Sequence, residues 1–441
     1  MTMRRLTALL LALALWPAAA GAVLTIEITE GVTGARPIAV VPFGHPPDVR
    51  PNADLAQVVA TDLARSGRFS PMPRRELPAQ PERGGAMDME QWRLAGQDHV
   101  LVGQVDRGTD GLVIRTQLMD PYREEQVFGY RFQVPQSGLR RLGHRLADRV
   151  YEAVLDRRGA FSTSMAYVRT ERETGDEPRY ILAVADADGR NEQVILDSSQ
   201  PLMSPAWSPD GRRVAYVSFE GGRPGLWIQT VTSGSRERIG PASESRSAPA
   251  FSPDGRYLAW TRQDGENTDI YITDLKRGGE PVRLTRHWAI DTEPAWLPGG
   301  EGLIFTSDRA GSPQLYEVDL DDRARPVSNP ERITFEGNYN ASADVAPDGR
   351  HVALVHRNNN GFRIAVLDRE RGGLQVVAET TMGESPSFAP NGDMILYAAE
   401  RSGRGVLESV SSDGRARQRL GMDIGNVREP AWSPFDALTR N

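Results

Sequence analysis

One seven-residue phrase recurs six times in the second half of the chain and constrains its fold more than any other feature. Two copies are nearly identical, Pro205-Ala-Trp-Ser-Pro-Asp-Gly211 and Pro249-Ala-Phe-Ser-Pro-Asp-Gly255. Weaker copies begin at Pro294, Ala343, Pro386 and Pro430. Successive copies begin 43 to 49 residues apart, a period typical of arrays in which each repeat is one supersecondary unit. The sequence therefore predicts six such units.

Each unit has the pattern of four short strands. In the first, Pro205–Ser208 is a short inner strand, and Pro209-Asp-Gly211 has the residues of a tight turn. Three β-rich runs follow at Val214–Phe219, Leu226–Thr230 and Glu237–Ile239. Four strands at this period are typical of a propeller blade. The predicted fold is mainly β, a six-bladed β-propeller over residues 159–441.

The two ends of the propeller are predicted to meet in one blade. The last phrase, at Pro430, is followed only by a few residues, whereas three strands precede the first phrase, at Met165–Arg169, Tyr180–Val184 and Glu192–Leu196. Together they complete a sixth blade and leave no open edge in the ring. We expect the phrase aromatics to pack between neighbouring blades. They are Trp207, Phe251, Trp296, Phe388 and Trp432.

Residues 23–158 differ from the repeats and predict a small α/β domain. Asp54–Arg65 has the apolar spacing of a helix, with Gly67 just past its end. A second helix is predicted over Leu139–Asp156, with Ser137 as its N-cap. Pro37–Pro42, together with three longer runs between residues 100 and 134, predicts the strands of a sheet.

The first 22 residues have the pattern of a secretory signal peptide. Arg4 and Arg5 precede the apolar run Leu6–Trp16, and small residues follow up to Ala22. We expect cleavage after Ala22, with Ala20 as the other candidate, and a mature protein that is exported and does not span a membrane. The chain has no Cys, which excludes disulfides and Cys-ligated metals. Its net charge of −7 argues against nucleic acid as a partner.

The sequence carries no recognisable catalytic motif. Propellers of this kind cap prolyl-oligopeptidase-like hydrolases, but those require a separate domain with a Ser nucleophile in G-x-S-x-G. That motif is absent, and the six His residues lack H-E-x-x-H or other metal-ligand spacing. No phosphate-binding loop or dinucleotide fingerprint is present either. We therefore expect no enzymatic activity.

Several phrases together resemble the TolB family, the periplasmic components of the Tol–Pal envelope system of Gram-negative bacteria. They are Arg36-Pro-Ile-Ala-Val-Val-Pro-Phe43, Arg158-Gly-Ala-Phe161, Ala166-Tyr-Val168 and the six propeller phrases. The propeller phrases alone are shared with peptidase propellers, so the front-domain phrases and the domain order make the resemblance specific. Two departures are minor: Pro298-Gly299-Gly300 lacks the Asp, and Val345 replaces the aromatic of blade four.

The resemblance implies a periplasmic scaffold that binds proteins. Members of the family bind the lipoprotein Pal at the propeller mouth, and their extreme N-terminus engages TolA of the inner-membrane complex. The system supports outer-membrane integrity and constriction at cell division. Some bacteriocins exploit the same propeller mouth for entry.

The mature N-terminus is the predicted TolA-binding segment. It alternates between apolar and polar residues, as a strand does. It comprises Val23, Leu24, Thr25, Ile26, Glu27, Ile28, Thr29 and Glu30. One interpretation is an ordinary edge strand of the front domain. The other is a detachable strand that adds to a partner's sheet, and the two can alternate.

The residues just before each inner strand are predicted to line one mouth of the channel, because each outer strand must cross back to the centre there. They are Met203, Ser204, Arg246, Ser247, Asp291, Thr292, Glu293, Ser342, Asp344, Glu384, Ser385, Arg428 and Glu429. The resemblance makes them the expected Pal-binding residues. Acidic groups outnumber basic ones, so this mouth should attract basic partner groups or a cation. We expect no resident cofactor, with Ca²⁺ in the channel as the one candidate.

Two other functions stay open from the sequence. A propeller that binds glycan or peptidoglycan would be expected to expose aromatic side chains at its mouth, where this chain has mostly charged and small residues. The other open function is that of a propeller related to the prolyl-oligopeptidase-like hydrolases that lacks their catalytic domain.

Overall fold

A computed structural model describes residues 26–27, 34–172, 177–358, 361–380, 384–422, 426–435 and 437, with only the backbone described at 26, 27 and 384. The predicted signal peptide and most of the predicted TolA-binding segment lie outside these residues. The first described element is a two-residue strand, β1 (Ile26–Glu27). None of the helices in the described ranges has the length and apolar character needed to cross a membrane.

The front domain is a five-stranded sheet with helices on both faces. Its strands and helices are β2 (Arg36–Val40), α1 (Leu55–Arg65), β3 (Phe69–Pro71), α2 (Met89–Leu94), β4 (His99–Gly108), β5 (Gly111–Asp120), β6 (Glu125–Val134) and α3 (Leu139–Leu155). Short 3₁₀ turns lie at Arg74–Glu76, Gly84–Ala86 and Gln136–Gly138. The strand order is β3-β2-β4-β5-β6, with β2 parallel to both neighbours and the other pairs antiparallel.

Local sequence accounts for the two long helices. The Asp54 side chain accepts a hydrogen bond from the backbone N–H of Gln57 (3.0 Å) and begins α1. The apolar stripes of α1 and α3 pack together on one face of the sheet and form its main core. The prediction of Ser137 as the N-cap of α3 is wrong, because Ser137 lies within a 3₁₀ turn and Gly138 takes the cap position without a side-chain bond.

The remaining described strands form six antiparallel sheets, which confirms the six-bladed propeller. Three strands precede the first phrase: β7 (Ser164–Glu171), β8 (Arg179–Asp186) and β9 (Gln193–Ser198). Blades 1, 2 and 3 comprise β10 (Leu202–Trp207), β11 (Arg213–Ser218), β12 (Gly225–Thr230), β13 (Arg236–Ile239), β14 (Ser245–Phe251), β15 (Tyr257–Asp264), β16 (Asn267–Asp274), β17 (Val282–Arg283), β18 (Asp291–Trp296), β19 (Gly302–Ser307), β20 (Gln314–Asp319) and β21 (Glu331–Arg332).

Blades 4 and 5 and the final strand complete the ring. They comprise β22 (Tyr339–Val345), β23 (His351–Asn358), β24 (Gly361–Asp368), β25 (Leu374–Glu379), β26 (Glu384–Phe388), β27 (Met394–Arg401), β28 (Arg404–Ser411), β29 (Arg417–Arg419) and β30 (Asn426–Trp432). As predicted, β30 pairs with β7, placing Trp432 opposite Met165, so the first and last strands of the propeller share blade 6.

The Trp of the recurring phrase joins neighbouring blades at two junctions. The indole N–H of Trp207 donates to the carbonyl of Ala431 in the preceding blade (3.1 Å), and that of Trp296 donates to Ala250 in the same way (3.0 Å). The turns also pack in sequence around the ring. A Cβ added to Gly255, whose φ is +67°, would lie 3.2 Å from the ring of Pro209. The Pro and Gly of the phrase are therefore explained by contact between consecutive turns.

The front domain packs on the face of the propeller that carries these turns, at blades 5 and 6. The Tyr151 hydroxyl donates to the carboxylate of Asp393 (2.8 Å), and Arg157 donates to the carbonyl of Asn391 (2.8 Å). On α1, Arg65 donates to the carbonyl of Ala187 (2.9 Å). The inner strands begin at the opposite end of the channel, so the predicted mouth faces away from the front domain.

The β1 strand pairs with the propeller and not with the front-domain sheet. Ile26 lies opposite Gln418, and Glu27 lies opposite Arg417, so β1 adds a fifth strand to the outer edge of blade 5. The interpretation of the N-terminus as an edge strand of the front domain is therefore wrong for these two residues. The other six residues of the predicted segment, 23–25 and 28–30, lie outside the described part of the chain.

Candidate functional site

A central channel of about 440 Å³ runs between the six inner strands. Every blade contributes to its wall. The lining segments are 204–209, 248–253, 293–296, 342–345 with Pro347, 385–390 and 429–434. Because all six inner strands meet here, the channel is the place where residues from every blade can contact one ligand or partner.

One residue at the same position of every inner strand has a left-handed backbone. These residues are Ser204 (φ 50°), Ala248 (φ 46°), Glu293 (φ 53°), Ser342 (φ 54°), Ser385 (φ 48°) and Glu429 (φ 49°). Each lies in a β-bulge where the inner strand carries one residue more than its partner. A left-handed conformation is strained for residues with a side chain, and bulges redirect a strand and its side chains. The repeated strain turns this position of each blade towards the channel.

Carboxylates at two of these positions bind the neighbouring blade. Glu293 accepts hydrogen bonds from the backbone N–H and the hydroxyl of Ser342 (2.9 Å each) and from the Thr306 hydroxyl (2.8 Å). Glu429 accepts a bond from the backbone N–H of Ser204, across the junction of blades 6 and 1. Both carboxylates line the channel and also hold adjacent blades together.

A third carboxylate, Asp344, lies deeper in the ring. It occupies a position that is Ala in four of the other five inner strands, and it accepts a hydrogen bond from the backbone N–H of Phe388 in the next blade (2.6 Å). The Asp344 side chain is partly accessible from the channel, but the protein atoms of the surrounding blades exclude most of the solvent from its carboxylate. That burial raises the pKa of Asp344 to about 7. Its charge therefore changes near neutral pH.

The structure brings six of the thirteen predicted mouth residues together around the channel. They are Ser204, Glu293, Ser342, Asp344, Ser385 and Glu429. Met203 is 40% exposed just outside the channel lining, and Ser247, Thr292 and Arg428 are half-buried near the starts of their strands. The side chain of Glu384 lies outside the described part of the chain.

The prediction that Arg246 and Asp291 face the mouth is wrong. Asp291 is fully buried and forms a bidentate ion pair with Arg309 (2.8 and 2.9 Å). Arg246 is 5% exposed, pairs with Glu244 (2.6 Å) and stacks on the ring of Trp260. Both lie two residues before the left-handed position, where the side chain is directed into the blade and not into the channel.

Exposed apolar side chains on the mouth face were not predicted. Trp288 is 75% exposed and Ile290 48% exposed in the loop before β18, and Phe335 is 74% exposed in the loop before β22. Both loops connect an outer strand to the next inner strand, so they lie at the mouth end of neighbouring blades. Where exposed apolar side chains form a contiguous patch, they mark an interaction site. The sequence shows only that each aromatic residue lies in a loop between predicted strands, and that does not indicate whether its side chain is exposed.

The described lining of the channel is acidic. It contains Glu293, Asp344 and Glu429 but no Lys or Arg. For Ca²⁺, which prefers several oxygen ligands, the fit is partial, because no three carboxylates of the described channel approach to within 4.8 Å of one another. Asp344, which accepts one hydrogen bond, would be the carboxylate available to such an ion. Ca²⁺ binding in the channel stays a prediction.

Both parts of the chain match known family models. Residues 24–127 match the model described as the TolB amino-terminal domain, and residues 151–436 match the TolB beta propeller domain. The second match alone covers more than half of the chain.

Curated proteins and a solved structure agree with these matches over almost the full length. The chain is 48% identical to the Tol-Pal system protein TolB of Nitrosococcus oceani over 94% of both chains. It is 47% identical to the protein of the same name from Thioalkalivibrio sulfidiphilus over 98% of both chains. The crystal structure of TolB from Acinetobacter baumannii superposes with a TM-score of 0.84 at 38% identity, covering 93% of this chain and all of the other.

Proposed function

Because this chain belongs to the TolB family, we propose that it is a non-enzymatic, periplasmic scaffold of the Tol–Pal system that binds Pal at the propeller mouth and TolA through its mature N-terminus. The observation that carries the Pal half of this proposal is the open end of the channel. There, six redirected inner strands converge at an acidic opening beside exposed aromatic groups.

The mouth combines two features of a protein-binding site. Trp288 and Phe335 are the kind of large side chain that dominates binding energy when a partner covers it. The carboxylates of Glu293 and Glu429 favour a partner with basic or N–H donor groups and exclude acidic ones. Together they suit a partner surface that has an apolar pocket next to positive charge.

The N-terminus supports the TolA half of the proposal. Its alternating sequence is that of a strand, and its two described residues, Ile26 and Glu27, pair with the outer edge of blade 5. A strand at a sheet edge can leave that edge and join another, because the backbone hydrogen bonds are equivalent in either sheet. Pairing with blade 5 and pairing with TolA would then exclude each other.

One observation favours a second candidate, a propeller that binds glycan or peptidoglycan. The sequence argued against it because few aromatic residues were expected at the mouth, but Trp288 and Phe335 are exposed there. Aromatic faces also stack on sugar rings, so exposure alone does not separate the two functions.

The deciding experiment is a calorimetric titration of residues 23–441 with the soluble domain of Pal from the same organism. We expect saturable one-to-one binding that survives deletion of residues 23–30. Failure to bind at high micromolar concentration would remove the Pal assignment. A parallel titration with peptidoglycan fragments would then test the glycan function.

A further inference from the structure

A buried cluster of charged side chains joins the front domain to blade 6, far from the propeller mouth. His144 on α3 and Asp62 and Arg65 on α1 come from the front domain, and Asp186 and Asp188 come from the end of β8 and the turn after it. His144, Asp62, Arg65 and Asp188 are between 1% and 7% exposed. We refer to these five residues, together with Arg140 of α3, as the interdomain cluster.

The two ring nitrogens of His144 have different surroundings. Its Nδ1 lies 2.6 Å from the Asp62 carboxylate. Its Nε2 is buried and has no hydrogen-bond partner in the described part of the chain, where the Asp188 carboxylate lies 3.8 Å away. Metal-bound His residues typically bind a carboxylate through one nitrogen and the ion through the other. Asp62 therefore orients the His144 ring in the way that a carboxylate orients a metal-bound His. This leaves Nε2 as the nitrogen that can ligate an ion.

The distances around Nε2 fit an ion better than a hydrogen bond. The ligand atoms of His144, Asp186 and Asp188 all lie within 4.8 Å of one another. At bond lengths of about 2.0 to 2.2 Å, two ligands of a tetrahedral ion are separated by about 3.4 Å. The 3.8 Å between Nε2 and Asp188 is too long for a hydrogen bond but needs little adjustment to place both atoms on one ion.

The cluster also holds more carboxylates than guanidinium groups. Asp62, Asp186 and Asp188 supply three carboxylates, whereas Arg65 and Arg140 supply two guanidinium groups. Burial raises the pKa of Asp186, and the nearby Arg141 acts in the opposite direction. A cation is favoured where carboxylates are in excess in a largely buried site. The Asp62 carboxylate outweighs burial and raises the pKa of His144, so a proton is the competing occupant. A proton on Nε2, however, would find no acceptor within hydrogen-bond distance among the described residues.

We propose that the interdomain cluster is a site for a divalent transition-metal ion, ligated by His144 Nε2, Asp186 and Asp188. One His with two carboxylates is a ligand set suited to Zn²⁺, with water in the fourth position. Arg140, which contacts Asp188 and is partly exposed, can remain bound to that carboxylate, because each oxygen has two lone pairs. The bound ion would link the front domain to the propeller.

The test is titration of the metal-free mature chain with Zn²⁺ by calorimetry and with Co²⁺ by visible absorption. We expect one ion per chain, Co²⁺ bands typical of a low-coordinate nitrogen and oxygen site, and a higher unfolding temperature when the ion is bound. Asp186→Asn removes one ligand but leaves the His144–Asp62 contact in place. It should weaken Zn²⁺ binding about 100-fold or more, by analogy with the 10–100-fold cost of losing outer-shell partners.

Controls separate this site from incidental binding. His351→Gln alters an exposed His that also pairs with a carboxylate, Asp348 (2.7 Å), and should bind Zn²⁺ as the wild type does. His144→Gln should abolish the Co²⁺ bands, and if it fails to fold, Asp186→Asn alone decides. No stoichiometric binding, or binding that Asp186→Asn leaves unchanged, would overturn the proposal and leave a proton on His144 as the balancing charge.

Discussion

The carboxylate of Glu293 in blade 3 accepts two hydrogen bonds from Ser342 in blade 4, one from its backbone N–H and one from its hydroxyl, both 2.9 Å long. Both residues have left-handed backbones and line the channel. Glu293 therefore has two roles that must be separated in any experiment. It contributes negative charge to the mouth, and it fixes the contact between two blades.

Charge reversal at Glu293 is expected to weaken Pal binding. Glu293→Lys should raise the dissociation constant at least 10-fold, because it places a cation in an otherwise acidic opening. Glu293→Gln keeps an acceptor for Ser342 and should have a smaller effect, which isolates the charge. Glu237→Lys, on the exposed outer strand of blade 1, serves as the control in the same calorimetric titration. Equal effects at Glu293 and Glu237 would refute the assignment of the mouth.

The exposed aromatics are expected to be energetic centres of the same interface. Trp288→Ala and Phe335→Ala should each cost about 2 kcal/mol of Pal-binding free energy while leaving the unfolding temperature unchanged, because both side chains are about three-quarters exposed. Leu94→Ala removes a side chain that is 83% exposed on the front domain and should not affect binding. If the aromatic variants retain Pal affinity but lose binding to peptidoglycan fragments, the glycan function gains support.

Deletion of residues 23–30 is expected to abolish TolA binding and spare Pal binding. The reason is that the segment supplies the strand proposed to join TolA, whereas the mouth lies at the far end of the propeller. Calorimetric titration of the truncated chain with TolA and with Pal tests both parts of this prediction. Unchanged affinity for TolA would contradict the proposed role of the segment.

The titration of Asp344 is expected to make the stability of the protein depend on pH. Its folded-state pKa of about 7 lies above the value of 3.8 for an unperturbed Asp, so the folded state binds more protons between these values. Stability is therefore lost as the pH rises from about 4 through 7. Asp344→Asn keeps an acceptor for the Phe388 N–H and should flatten this profile. At pH 8 the free energy of unfolding of the variant should exceed that of the wild type by up to about 4 kcal/mol, which corresponds to a pKa shift of about three units.

Urea unfolding at pH 5 and pH 8 provides that measurement, with Asp321→Asn as control. Asp321 is exposed, and hydrogen bonds from the backbone N–H groups of Arg325 and Arg323 lower its pKa. Its contribution is lost as the pH falls, which is the opposite sign, so its variant should keep the wild-type slope between pH 5 and 8. A wild-type slope in Asp344→Asn would show that another group titrates there.

The contact between consecutive turns should be visible in stability. Gly255→Ala forces an L-residue into a φ of +67° and pushes its Cβ against Pro209, whereas Gly222→Ala meets a similar φ of +76° with open space around it. Both substitutions lower the free energy of unfolding by about 1 kcal/mol, because an L-residue is strained in a left-handed backbone. The free energy of unfolding should fall further for Gly255→Ala. Equal losses would show that the Pro–Gly contact adds nothing.

The sequence by itself determined the number of blades, their strand order and the closure of the ring. These features follow from local chemistry: strand-forming runs, turns with Gly at positive φ, and a fixed period between phrases. The helix over Asp54–Arg65 was predictable for the same reason, because its apolar spacing and its Asp cap lie within a few residues of each other. The family resemblance rested on the propeller phrases together with the front-domain phrases and the domain order.

The tertiary structure alone decided which side chains reach the channel. Arg246 and Asp291 lie two residues before the left-handed position and their side chains enter the blade, whereas Ser204 occupies that position and lines the channel, and no local pattern gives this difference. The sheet edge that β1 joins depends on which edges stay exposed after the ring closes. His144 and Asp188 meet only because α3 packs against the turn after β8. Such contacts join distant segments, so packing determines them and local sequence does not.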